Sequence, residues 1–360
     1  MAAIVWAGEP VVLDQGNVPH HPHQPQVSVD ADGDIHVVYG LRGRARYRRS
    51  DDGGQSFSQP VDLPSVNVMS LGMRRGPRIA LSGKAINVTV IAGKQGKGKD
   101  GDLWAMKSED GGTTWADPVR VNDVPDSARE GLHAMSAGPD GVLCCVWLDL
   151  RSGRTEIMAS VSRDHGDSWG TNVLVYRSPD GSVCECCHPG VVIDGRGRIS
   201  VQWRNALEGA RDMYVASSVN GGKSFDQGSR LGRGTWLLDA CPMDGGALAV
   251  SSRGQLASVW RRDHEVFVWR EGQAEERLVG PGEQPWIVAT DAGEYIIWLE
   301  RRGEAAYLLA PGDRLPIKLA DHAADPVIAV GPNGRGPVVA VWEEADGKHF
   351  VVRCQAITAK

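Results

Sequence analysis

The sequence predicts an all-β protein folded as a single β-propeller over residues 1–360, with seven four-stranded blades, or six as the alternative. Three observations carry this. Short apolar runs alternate with clusters of Gly, Pro, Asp and Asn, and helical periodicity is scarce. An eight-residue pattern occurs four times, and a longer two-strand pattern runs along the whole chain.

The short pattern is SDDGGQSF at 50–57, SEDGGTTW at 108–115, SRDHGDSW at 162–169 and SVNGGKSF at 218–225, with starts 58, 54 and 56 residues apart. Asp52, Asp110, Asp164 and Asn220 share one position. Asp and Asn hydrogen-bond nearby backbone in turns, and Gly supplies a positive φ. The pattern therefore predicts a hairpin loop with a structural role.

The long pattern starts near a Pro, alternates to a Gly, and ends on an apolar strand that usually closes with an aromatic residue. It reads PQVSVDADGDIHVVY (25–39), PRIALSGKAINVTVI (77–91), HAMSAGPDGVLCCVW (133–147) and PGVVIDGRGRISVQW (189–203). It continues as ALAVSSRGQLASVW (247–260), PWIVATDAGEYIIW (285–298) and PVIAVGPNGRGPVVAVW (326–342). The last three units lack the octapeptide. AGEPVVLDQG (7–16) matches the strand that follows each octapeptide, such as SQPVDL (58–63), so it is expected to close the last blade against KHFVVRCQAI (348–357).

The octapeptides resemble the Asp-boxes, or BNR repeats, of sialidase-like propellers. The resemblance implies a loop between the third and fourth strands of a blade. It speaks to fold more than to activity, because Asp-boxes recur in proteins of many functions.

A net charge of −6 gives no nucleic-acid surface, and no apolar run is long enough to span a membrane. The N-terminus MAAIVWAGEP lacks the basic and apolar regions of a leader peptide. A periplasmic or extracellular location with the leader removed is expected, the cytoplasm being the alternative, and the protein is expected to be a monomer.

In propellers, the loops leading into the innermost strands converge on the axis. Here they carry HHPHQP (His20, His21, His23), GMRRGPR (Met73, Arg74, Arg75, Arg78), His133, CECCHP (Cys184, Glu185, Cys186, Cys187, His188), DACPMD (Asp239, Cys241, Met243, Asp244) and DHAADP (His322). Thiolate and imidazole ligands suit copper first and zinc next. The candidate metal ligands are Cys184, Cys186, Cys187, His188, Cys241, His20, His21, His23 and His133. In an extended segment Cys186 and Cys187 point oppositely, so the three clustered cysteines are not all expected on one ion. A disulfide to Cys241, or uncommitted thiols, are the alternatives. Cys144, Cys145 and Cys354 lie in strand patterns and read as core thiols.

The loops after each second strand place Arg151, Arg204, Arg261 and Arg301 near a Trp. With Arg74, Arg75 and Arg78 they would line a pocket for an anionic small molecule or glycan, or else form rim salt bridges. Arg78, in PRIA, sits where the resemblance implies the first substrate-binding arginine. Sialidase chemistry also needs a tyrosine activated by a glutamate. Tyr39, Tyr214 and Tyr295 fall in strand patterns, and no late tyrosine sits in a central loop. The sequence thus points first to a metal-binding propeller, or an enzyme using that metal. A glycoside hydrolase or glycan-binding protein, and a scaffold with disulfide-braced loops, are the alternatives.

Overall fold

A computed structural model describes residues 4–6, 9–96 and 98–359. Its strands form six antiparallel sheets. The first runs from His23–Val29 through Ile35–Leu41 and Arg44–Ser50 to Val61–Asp62. The second contains Arg78–Ser82, Ala85–Gly93, Asp102–Ser108 and Val119–Arg120, with Val68–Met69 as a fifth strand on Ala85–Gly93. The third, fourth and fifth begin at His133–Ala137, Gly190–Ile193 and Ala247–Val250, and each has four strands. The six strands from Glu283–Thr290 to His349–Ala359, joined by Ile4–Trp6 and Val11–Gly16, form one eight-stranded sheet.

The count of seven separate four-stranded blades, and the alternative of six, are therefore corrected. Five sheets are discrete blades, and the last part of the chain is one continuous sheet. The cause is the strand Ile317–Gly331. It pairs with Glu304–Leu309 on one side and with Arg335–Asp346 on the other. In the first four sheets a loop separates the outer strand from the next inner one, and after the fifth Gly282 alone interrupts the strands. Here ADHAADP stays extended, with irregular register about Ala324 and Val327.

The innermost strands contact one another in a closed ring, from His23–Val29 through Arg78–Ser82, His133–Ala137, Gly190–Ile193, Ala247–Val250 and Glu283–Thr290 to Ile317–Gly331 and back to the first. Val11–Gly16 pairs with His349–Ala359, so the two ends of the described chain meet in one sheet. Ala7 and Gly8 of the expected closing segment lie outside the described residues.

Packing between sheets explains the aromatic that ends the long repeat. Trp147, Trp203, Trp260, Trp298 and Trp342 are all buried at that position. Each buried indole removes about 200 Å² from water, worth ~5 kcal/mol at ~25 cal/mol per Å². Trp147 donates to Asp149 Oδ2 at 2.8 Å and Trp342 to Glu344 Oε2 at 2.9 Å, which satisfies the ring N–H beside the core.

The four octapeptides lie between third and fourth strands and share one hydrogen-bond set. In the second, Asp110 accepts from Ser108 Oγ (2.9 Å), Thr114 N (2.9 Å) and Thr114 Oγ1 (2.6 Å), while Gly112 N donates to Ser108 Oγ (2.9 Å). Asp52 and Asp164 repeat this. Asn220 keeps the geometry with one reversal, its Nδ2 donating to Ser224 Oγ at 2.8 Å.

Candidate metal centre and the central polar network

The segment Cys184–Pro189 leads into the inner strand of the fourth sheet. It is not extended. Cys187 N–H donates to the Cys184 carbonyl at 3.5 Å, and Cys184 N–H is held by the Arg204 carbonyl at 3.0 Å. This turn corrects the expectation that Cys186 and Cys187 diverge. The sulfurs of Cys184, Cys186 and Cys187 all lie within 4.8 Å of one another. Cys184 Sγ is 3.0 Å from Cys187 Sγ and 3.7 Å from Cys186 Sγ. All three residues are buried, with Met243 packed against them. Cys241 is exposed, and its thiol interacts with Cys186. The seven cysteines are free thiols, including Cys241 and the buried Cys144, Cys145 and Cys354.

The cluster borders a cleft of about 450 Å³ lined by Arg154, Asp180, Glu185, Arg211 and Cys241. Hydrogen bonds from Cys186 and Cys187 push the Cys184 thiol well below the usual thiol range, and the Arg204 charge adds to this. Burial and the Cys184 partner push Cys187 up.

The histidines do not join this group. Among the described residues no imidazole or carboxylate ligand atom lies with the three sulfurs. His188 follows Cys187 directly, yet its Nε2 is 2.9 Å from the Gly246 carbonyl and its ring stacks on Trp286. His133 is buried with Nε2 3.1 Å from Thr89 Oγ1. His20 and His322 are exposed. His21 and His23 form a second group with Glu343, a residue sequence reasoning did not select. Burial, then His23 and Arg302, push His21 down to about 4, so it is neutral at pH 7.

Around the axis, Gln24, Gln284 and Asp325 each precede a proline and each has a positive φ, at 45°, 52° and 47°. This conformation leaves each backbone N–H needing a partner. Gln24 N donates to Glu343 Oε1 (2.7 Å), Gln284 N to Asp244 Oδ2 (2.6 Å) and Asp325 N to Gln284 Oε1 (3.1 Å). A side chain from a distant segment thus satisfies each one. The long repeat marked the prolines, but the residue before each proline was the missed signal.

Six of the seven predicted arginines are committed to the protein itself. Arg74 is buried, donating to the carbonyls of Pro326 (3.0 Å) and Gln284 (2.6 Å), beside Asp325 and 5.3 Å from the Trp286 ring centre. Arg78 is buried on the carbonyls of Gly76, Pro77 and Arg74. Arg204 donates to the carbonyls of Asp244, Arg211 and Arg261. Arg75 pairs with Glu130, Arg151 with Asp149 and Asp123, and Arg261 with Glu283. Arg301 is exposed, and its neighbour Arg302 reaches the network instead, pairing with Asp325 at 2.5 Å. No tyrosine lines the channel cavities bordered by Arg78, His188 and Trp286 or by Ser28, Ser136 and Asn333.

No protein-family profile and no curated protein sequence matches the chain. Solved structures do. An α-L-arabinanase of Penicillium chrysogenum aligns with a TM-score of 0.56 at 15% identity, over 99% of this chain and 98% of that one. A sialidase of Trypanosoma rangeli aligns with a TM-score of 0.56 at 13% identity, over 99% of this chain and 59% of that one. The polysaccharide lyase Uly1 aligns with a TM-score of 0.59 at 10% identity, over 95% and 91%. At these identities the likeness is one of fold, and the fold is that of sialidase-like propellers.

Proposed function

We propose that this propeller binds a soft metal ion, Cu(I), on the thiolates of Cys184, Cys186 and Cys187. The observation that carries the reading is the convergence of three buried sulfurs on one turn. Sulfurs about 2.3 Å from one ion in a trigonal arrangement stand about 4 Å apart. The pairs at 3.0 and 3.7 Å need only a small expansion to reach this. Soft thiolates favour Cu(I), and a Met243 thioether lies alongside. Structural zinc takes four ligands in a tetrahedron. Here the fourth sulfur, Cys241, is exposed and reaches only toward Cys186, which favours copper over zinc. The open cleft beside the cluster suits a site that exchanges its ion with a partner or presents it to a small molecule.

A glycan-directed role has less support. Six of the seven arginines offered for an anionic ligand, all but Arg301, are spent on carbonyls and carboxylates, and no tyrosine faces the channel cavities.

The test is elemental analysis of protein purified anaerobically without chelator, followed by Cu(I) titration against a chromogenic chelator. One copper per chain is expected, lost in Cys184→Ser and Cys187→Ser. Absence of stoichiometric copper after loading, with the thiols titrating as free, would sink the reading. Recovery of a Cys184–Cys187 or Cys186–Cys241 disulfide from the native protein would replace it with a redox or bracing role.

A further inference from the structure

We infer that His21, His23 and Glu343 form a second metal site, one that takes a divalent borderline ion such as Zn²⁺ through two imidazoles and one carboxylate. One ligand atom from each residue lies within 4.8 Å of the other two. Donors about 2.1 Å from one ion stand about 3.4 Å apart in tetrahedral geometry, so a shift of roughly an ångström completes the site. The two histidines have the freedom for it, since both are only partly buried. Their rings stand 3.7 Å apart, and Phe350 covers His21 at 4.5 Å.

The bonding around the group leaves donor atoms free to turn to an ion. His21 Nδ1 is buried and has no hydrogen-bond partner. Glu343 uses Oε1 on Gln24, both backbone N–H (2.7 Å) and side-chain amide (3.1 Å). Its Oε2 faces His23 Nδ1 at 3.8 Å, beyond hydrogen-bond length. Arg302 also approaches Oε2, at 3.8 Å, but its close contact is with Asp325. A metal would therefore replace a loose contact and leave Arg302 its main partner. Two imidazoles and one carboxylate suit a borderline ion, and three protein ligands leave coordination positions for water. This group shares no residue with the thiolate cluster, and its donor set selects a different class of ion.

The position adds a consequence. His21 and His23 lie at the start of the first sheet, whereas Glu343 lies on Arg335–Asp346 in the eight-stranded sheet. An ion here would tie the beginning of the ring to its end, beside the pairing of Val11–Gly16 with His349–Ala359. Binding to the folded state alone raises thermal stability by mass action.

The test is Zn²⁺ calorimetry on the full chain with Cys184, Cys186, Cys187 and Cys241 all changed to Ser. One Zn²⁺ per chain is expected, with a rise in Tm on addition of zinc. In that background His21→Ala and His23→Ala should weaken binding at least tenfold and abolish the Tm rise, while His20→Ala should leave both intact. No zinc bound by a folded four-Ser protein, or unchanged affinity in both histidine variants, overturns the site. If the four-Ser protein does not fold, Co²⁺ titration of the wild type decides. Weak visible bands without sulfur charge transfer, lost in His21→Ala and His23→Ala, support the site. Sulfur charge-transfer bands alone, unchanged in those variants, overturn it.

Discussion

Cys184 Sγ and Cys187 Sγ lie 3.0 Å apart across a turn closed by the Cys187 N–H and the Cys184 carbonyl. The separation is far beyond the ~2.05 Å of a disulfide bond, and it places both sulfurs on one side of the loop. Cys241, by contrast, arrives from a different segment and is exposed. The two kinds of cysteine should therefore behave differently. Cys187→Ser is expected to weaken Cu(I) binding by more than about tenfold, equivalent to ~1.4 kcal/mol, and Cys241→Ser by less. Competition titration with a Cu(I) chelator measures both. Equal losses would mean that Cys241 is a full ligand.

Asp325 serves two arginines at once. Its carboxylate lies 2.5 Å from Arg302 and 3.9 Å from Arg74, with all of Arg74 buried. Burial opposes its ionisation, but Arg302 and then Arg74 outweigh this and hold it at about 2. Burial and the neighbouring Asp325 charge push Glu343 up instead. Removing Asp325 strands a buried cation, which costs about 3–5 kcal/mol. Urea unfolding of Asp325→Ala should show a loss in that range. The double variant with Arg74→Met should recover part of it, since the stranded charge is then gone. A double variant no more stable than the single would show that Arg74 is not the group left uncompensated.

The all-β class, the inner strands and the shared octapeptide geometry were legible because each follows from local chemistry. Asp110, Gly112 and Thr114 make their turn with neighbours in sequence. The cysteine group was also local, three sulfurs within four residues, although alternation wrongly spread them because a turn replaces the strand. The number of separate sheets was not legible. It depends on whether Ile317–Gly331 breaks, and nothing in LPIKLADHAADP encodes a loop strongly enough to force one. Glu343 was invisible as a partner of His23 because it ends a strand pattern shared with Glu344. Only closure of the ring brings them together, and Arg302 rather than Arg301 points inward for the same reason.

Gly112 tests the octapeptide turn. Its φ is +88°, and a Cβ there would meet the Tyr47 ring at 2.0 Å. Tyr47 is buried and packs edge-on against Trp115, so it has no room to retreat. Gly112→Ala therefore combines backbone strain with overpacking, at a cost of about 2–3 kcal/mol. Gly53→Ala shares the positive φ but meets nothing within 4 Å, so it should cost less. Thermal unfolding of the two variants separates contact from strain. Equal losses would assign the whole effect to the backbone.

Glu276 should make stability depend on acid pH. It accepts from Arg262 and from the backbone N–H groups of Arg233 (2.7 Å) and Gly234 (3.0 Å), and so ties the segment leaving the fourth sheet to the outer strand of the fifth. Burial opposes its ionisation, but the Arg262 hydrogen bond and these N–H groups outweigh it and bring the carboxyl down to about 2. An unfolded glutamate titrates near 4.3. Because the folded value is the lower one, the contribution is complete above about pH 4.3 and disappears as pH falls through about 2. Glu276→Gln should therefore be less stable than wild type at pH 7, with a gap that narrows below about pH 4.3 and closes near pH 2. Chemical denaturation at pH 7, 5, 4 and 3 follows the gap. A gap that stays constant across that range would show that Glu276 acts through shape and not through its charge.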